Sequence, residues 1–124
     1  IIIEQKGGKG YYFLMYNKID SAIVGAVRIL NINHKKNEAE FGTWLKRDFW
    51  GTGRNKEVKD CLCDFSFNEL NLKKLYCHVL TNNKRSVNQF NKLNFTFEGK
   101  ENNVDLDVDR YTFFITNSDF NSNK

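Results

Sequence analysis

The stretch Trp50–Asp60 reads WGTGRNKEVKD. Two glycines flank a threonine, after an aromatic residue and just before a run with helical patterning. Upstream, Ala39–Leu45 (AEFGTWL) alternates as a strand does. Glu40, Gly42 and Trp44 share one face, and Phe41, Thr43 and Leu45 the other. Downstream, Val58, Cys61, Leu62, Phe65 and Leu70 form one apolar stripe at helical steps. The quoted stretch is therefore the hand-over from a strand to a long helix. Glycine at such a point permits positive φ and lets a ligand approach bare N–H groups. The first turn of a helix adds unpaired N–H groups and a partial positive charge, a combination that suits an anion. Arg47 and Arg54 flank it with full charges. The motif matches neither G-x-x-x-x-G-K-[ST] nor G-x-G-x-x-G, since Lys56 is misplaced for both. On its own, a plain change of direction explains it as well as a phosphate cradle does.

Working outward, Tyr11–Tyr16 (YYFLMY) and Ala22–Leu30 (AIVGAVRIL) read as strands joined through the turn residues of NKIDS. Ile1–Lys6 fits a strand or the tail of a helix, GGKG (Gly7–Gly10) a loop, and NINHKKN a polar connector. After the helix, NLKK breaks the pattern and Leu75–Leu80 (LYCHVL) reads as a strand. A second helix starts with polar capping residues and carries Val87, Phe90 and Leu93 at helical spacing. FTFEG is a short strand ending at Gly99, ENNVDLD turns, and Val108–Thr116 (VDRYTFFIT) is a last strand. The tail NSDFNSNK reads as loose. The order β-β-β-α-β-α-β-β predicts a mixed α/β (α+β) layout with a mostly antiparallel sheet.

The 124 residues fit one domain, 40% of them hydrophobic, enough for a core of ordinary size. No apolar run approaches the ~20 residues of a membrane span, and no secretory signal is visible. A net charge of +4 suits a polyanionic small ligand. Without a dense Lys/Arg block it argues against nucleic acid. Cys61, Cys63 and Cys77 match neither a disulfide framework nor a zinc signature, so reduced thiols, no metal and a cytoplasmic setting are expected. Proline is absent. The chain opens on Ile1 instead of Met, and a fragment of a longer chain is expected.

From Glu40 to Gly99 the joint pattern resembles the GCN5-related N-acetyltransferase family (GNAT). The residues that carry this are WGTGRNKEV, then DFSFNELNLKKLYCHVLTNNKRSVNQFNKLNFTFEG. The resemblance is nearest to the branch holding ribosomal-protein and amino-sugar acetyltransferases. Members read aromatic-G-x-G-x-A-x-E-A, a helix, a strand ending V-L-x-x-N, and a helix ending L-Y-x-K-L-G-F. Asn55 departs from the Gly or Ala of the first signature, Phe90 from the tyrosine, and Asn94 from the glycine of the second.

That resemblance implies a twisted sheet with helices on both faces, lacking the family's N-terminal strand and helices. It implies acetyl transfer from acetyl-CoA, as acyl-donor co-substrate, to a primary amine in a ternary complex. The acceptor would be a nucleotide-linked amino sugar, a protein N-terminus or a small amine. The diphosphate would rest on backbone N–H groups of Gly51, Thr52, Gly53, Arg54 and Asn55. The pantetheine arm would meet main chain at Leu45, Lys46 and Arg47, and then Asn83 and Ser86. The thioester would lie where the strands at 39–45 and 75–80 splay apart.

An attacking amine must be neutral, so a proton needs a route away. In the ribosomal-protein branch a glutamate base sits four residues after the lysine of the K-L pair and five before the asparagine. Lys74 and Asn83 place His78 in that slot, and an imidazole exchanges protons near neutral pH without tuning. Glu40, acting through water, is the other candidate. Phe90 donates no proton, and Tyr76, Tyr111 or solvent would have to replace the tyrosine acid. Three accounts compete: an active N-acetyltransferase, an acetyl-CoA-binding module without chemistry, or a basic RNA-binding domain. Monomer and homodimer are both compatible with the sequence.

Overall fold

The computed structural model describes residues 2–5, 10–105 and 107–122. Three antiparallel connections come first, from β1 (Ile2–Gln5) through β2 (Tyr11–Tyr16) and β3 (Ile23–Asn33) to β4 (Glu38–Leu45). Helix α1 (Arg54–Asp64) then carries the chain to β5 (Lys74–Leu80), which pairs parallel with β4. A parallel neighbour cannot be reached by a tight turn, so a helical crossover is required here. Helix α2 (Lys84–Lys92), β6 (Thr96–Asn103), β7 (Val108–Thr116) and α3 (Asn117–Ser122) complete the chain. Among the described residues the sheet has seven strands in the order β1-β2-β3-β4-β5-β7-β6. The mixed, mostly antiparallel layout is the one read from the sequence.

The core lies on one face. Register pairs Phe13 with Val27, Ile29 with Phe41, Ala39 with Leu75, and Cys77 with Phe113, so these side chains share that face. Phe65, just past α1, meets Phe13 edge-on at 4.9 Å, and Phe90 of α2 stacks on Phe113 at 5.0 Å. Helices α1 and α2 therefore both pack on this side. Tyr12, Leu14 and Trp44 alternate onto the other face and are exposed.

Several local readings change. Ile2–Gln5 is a strand, which settles an open choice. Of the GGKG loop only Gly10 lies within the described residues. The connector at NINHKKN begins late. β3 runs on to Asn33, whose Oδ1 then accepts from the N–H groups of Lys35 and Lys36 at 3.0 and 3.1 Å. β6 likewise runs to Asn103 because β7 gives it partners as far as Val108. The tail is no loose end through Ser122: it forms α3, where Phe120 packs on Phe67 at 5.8 Å. In α1 the apolar stripe is rotated. Cys61 is exposed, while Val58, Leu62, Cys63 and, unexpectedly, Lys59 are buried. A π-helical turn at Phe65–Glu69, closed by Leu70 N–H to Phe65 O at 3.1 Å, shifts the helical phase from there on.

Phe113 is 2% exposed and stacks on Phe90. Its replacement by alanine is expected to lower unfolding stability by about 3–5 kcal/mol, read as a drop in the urea midpoint with little change in slope.

Candidate functional site

β4 and β5 are paired at only three positions, the last being Glu40 with Tyr76. Beyond it the two strands part, and a cleft of about 840 Å³ occupies the gap. Its lining comes from both sides of the sheet. Phe41, Cys77, Val79 and Phe90 belong to the core side, and Tyr12, Arg28, Trp44 and His78 to the open side. The cleft is therefore bounded by side chains of both faces of the sheet.

The glycine turn is joined to this cleft through α2, whose Arg85 lies over Trp50 and whose Phe90 lines the cleft. Gly51 and Gly53 have φ of 73° and 83°, in the left-handed region that disfavours any side chain. A Cβ at either would meet nothing within 4 Å, so both lie open. Gly53 is the N-cap of α1 and no side chain caps that end, leaving first-turn N–H groups for a ligand. The contrast with α2 is clear: there Asn83 Oδ1 accepts from Ser86 N–H at 3.3 Å. Asn83 and Ser86 nonetheless line the cleft.

Cations ring the turn. Trp50 anchors it through Nε1–H to Leu45 O at 2.9 Å. The Arg85 guanidinium lies 3.6 Å from the Trp50 ring centroid, and Arg47 lies 5.2 Å from it. Arg54 sits over Phe49 at 5.8 Å. Arg47 and Arg54 were expected here. Arg85, from the first turn of α2, was not, because only the packing of α2 beside the turn brings it in. Leu45 and Lys46 close the end of β4, with Lys46 N–H bonded to Val24 O at 2.8 Å. The Thr52 hydroxyl is spent on Phe49 O. The Asn55 side chain turns inward, donating to Gln89 Oε1 at 2.9 Å and so tying α1 to α2.

On the open side His78 lines the cleft. Its Nδ1 is 2.9 Å from the hydroxyl of buried Thr112 and 3.8 Å from Glu101 Oε1. Arg110 clamps that carboxylate with Nε and Nη2, both at 2.7 Å. Glu40 lies at the last paired position, accepts from Asn31 Nδ2 at 3.0 Å, and is not part of the cleft wall. Tyr76 and Tyr111, named as replacement acids, are also outside the wall. Burial, and then Glu40 and Glu38, push the Tyr76 hydroxyl's pKa up.

Lys59 was missed by the sequence reading, and no periodicity would have found it. It is 4% exposed. Its Nζ donates to Asn55 Oδ1 at 2.6 Å and to Thr43 Oγ1 at 3.4 Å, and lies 5.0 Å from the Phe90 ring centroid. Burial lowers its pKa to about 8, Cys77 and Cys63 working against that and Arg85 with it. The same burial holds the Cys63 and Cys77 thiols at about 12, so they stay neutral and give the lysine no counter-charge. Among the described residues no group of three or more His, Cys, Asp or Glu is arranged to hold a metal ion. No described helix is long and apolar enough to cross a membrane.

Residues 2–96 match the family model of the acetyltransferase (GNAT) domain. The spermidine N(1)-acetyltransferase of Escherichia coli (strain K12) is 32% identical over 81 residues, 65% of this chain and 44% of that protein. A Bacillus licheniformis protein named uncharacterized N-acetyltransferase p20 is 30% identical over 92 residues, 74% of this chain and 52% of its own length. The chain thus spans about half the length of these curated relatives. The crystal structure of spermidine/spermine N-acetyltransferase from Vibrio cholerae superposes with a TM-score of 0.85 at 23% identity. That match covers 96% of this chain and 72% of the other, and establishes the shared fold.

A lysine pKa lowered from 10.5 to about 8 means that the folded state holds this charge at a cost on the order of 3 kcal/mol at neutral pH. Between pH 8 and 10.5 the unfolded chain binds more protons at this site, so the penalty fades as pH rises. Lys59→Met is therefore expected to be more stable than the parent near neutral pH. The gap should narrow toward pH 10.5, measured as the difference in urea unfolding between the two proteins, in which the shared thiols cancel.

Proposed function

Because the chain belongs to the acetyltransferase (GNAT) domain family, we propose that it moves an acetyl group from acetyl-CoA to a primary amine. One observation carries the reading: an uncapped, arginine-ringed glycine turn is joined through α2 to a cleft where β4 and β5 part. The residues fit the acyl donor. Bare N–H groups at Gly51–Asn55, with Arg47, Arg54 and Arg85 around them, suit a diphosphate. The unpaired edge of β4 toward Leu45–Arg47, with Asn83 and Ser86 opposite, suits an amide-bearing arm. When bound, acetyl-CoA supplies a thioester carbonyl open to attack by a neutral amine.

The chain's part in that attack is to orient the amine and take its proton. His78 is the base in this reading. Thr112 and the Arg110-held Glu101 fix its Nδ1 side, and no hydrogen bond engages Nε2 among the described residues. Glu40, held by Asn31 and outside the cleft wall, is the weaker candidate. We take residues 1–124 as one such domain.

The acceptor we favour is a small primary amine. The names of relatives in Escherichia coli and Vibrio cholerae point to spermidine. The charged side chain of the cleft wall, Arg28, suits a less cationic amine, such as a nucleotide-linked amino sugar. A second reading, a module that binds acetyl-CoA without turning it over, is favoured by one residue: Phe90, with no hydroxyl, in the cleft wall.

Acetyl-CoA is expected to raise the melting temperature of the protein; no shift would remove the donor from the proposal. Thiol release should rise above background with spermidine, an amino-sugar nucleotide or an N-terminal peptide. Background rates throughout would favour the module. His78→Ala is expected to lower turnover by about 100-fold or more with the melting shift retained, and unchanged turnover would exclude it as the base.

A further inference from the structure

A buried cation with no carboxylate beside it is expensive to keep, and a fold retains one where the charge has a use. Lys59 is such a group. Its partners are a neutral amide and a hydroxyl, and the ionisable groups facing it are Cys63 on its own helix, Cys77 of β5 and Arg85 of α2. None of these is an anion at neutral pH. Both the hydroxyl of Thr43 and the ring of Phe90, against which the ammonium rests, belong to the cleft wall just past the last β4–β5 pair.

We propose that the Lys59 ammonium meets the negative charge that collects on the sulfur of the acyl donor. This rests on the acyl-donor reading above. A donor whose diphosphate sits at the α1 turn, and whose arm enters between β4 and β5, brings its sulfur to the core side of the wedge. There Lys59 is the cation against the wall. As the new C–N bond forms and the C–S bond breaks, the electron pair of the C–S bond stays on sulfur. Lys59 stabilises that thiolate and gives it a proton, His78 takes the proton lost by the amine nitrogen, and solvent restores both groups. A lysine whose proton is loosened by burial suits the donor's role, since its acidity then approaches that of a thiol.

The test compares coenzyme A with its desulfo analogue, which lacks the thiol, by calorimetry at about pH 7 to 9 on the full chain. Lys59→Met is expected to weaken coenzyme A by about tenfold or more where the thiol ionises, while the desulfo compound binds as before. Equal losses for both, or none for either, overturn the proposal. A second measurement needs no variant: in the wild-type complex the ultraviolet absorbance of the thiolate should develop at lower pH than in free coenzyme A. An unchanged or higher midpoint overturns it. If the wild-type protein binds neither compound, the acyl-donor reading fails and this inference with it. A failure confined to the sulfur comparison leaves that reading standing.

Discussion

The parallel contact between β4 and β5 ends after three residue pairs, and the site depends on that early end. Hydrogen bonding along the full length of two strands would close the sheet and leave no passage. The strands part instead because each is committed elsewhere. β4 stays in register with β3 as far as Leu45 with Gly25, and β5 with β7 as far as Leu80 with Arg110. Phe90 of α2 fills the core side of the opening, stacked on Phe113 and tilted against Phe41. Helix α2 thus works as a wedge, and the cost of the unmade ladder is offset by buried aromatic surface.

Charge is distributed unevenly around that opening. The glycine turn at one end gathers arginines from three segments, two of them steadied on the Trp50 ring. A polyanion arriving there meets both full charges and unpaired N–H groups. Deeper in, Lys59 faces two thiols, an amide, a hydroxyl and the Arg85 guanidinium, with no anion among them. An apolar residue of similar size there would pack without the desolvation penalty. Holding a lysine lowers stability for the sake of a positive charge beside the cleft, a pattern found where local rules give way to function.

Much of this was legible from residue order. The apolar, aromatic runs at Tyr11–Tyr16 and Val108–Thr116, bounded by turn residues, located those strands to the residue. The strand–glycine–helix hand-over at Trp50–Asp60 was legible because positive φ and an uncapped helix start are local properties. The stripe of α1 was read with Cys61 turned in, whereas the packed helix exposes Cys61 and buries Lys59 and Cys63. The face that meets the sheet is set by packing, and apolar periodicity does not count a lysine. The tail was read as loose because the contact that orders it, Phe120 on Phe67, spans more than fifty residues of chain.

The sequence by itself determined the alternation of strand and helix, the glycine turn that opens α1, and the family pattern. These rest on short-range geometry: side-chain period, glycine's freedom, the spacing of neighbours on one element. Tertiary structure alone decided that both helices share one face, that Arg85 joins the turn, that Thr112 and Glu101 stand behind His78, and that Lys59 is buried at the cleft. Each of these brings together groups far apart in the chain, through strand register and helix packing, and no local repeat records where such groups meet.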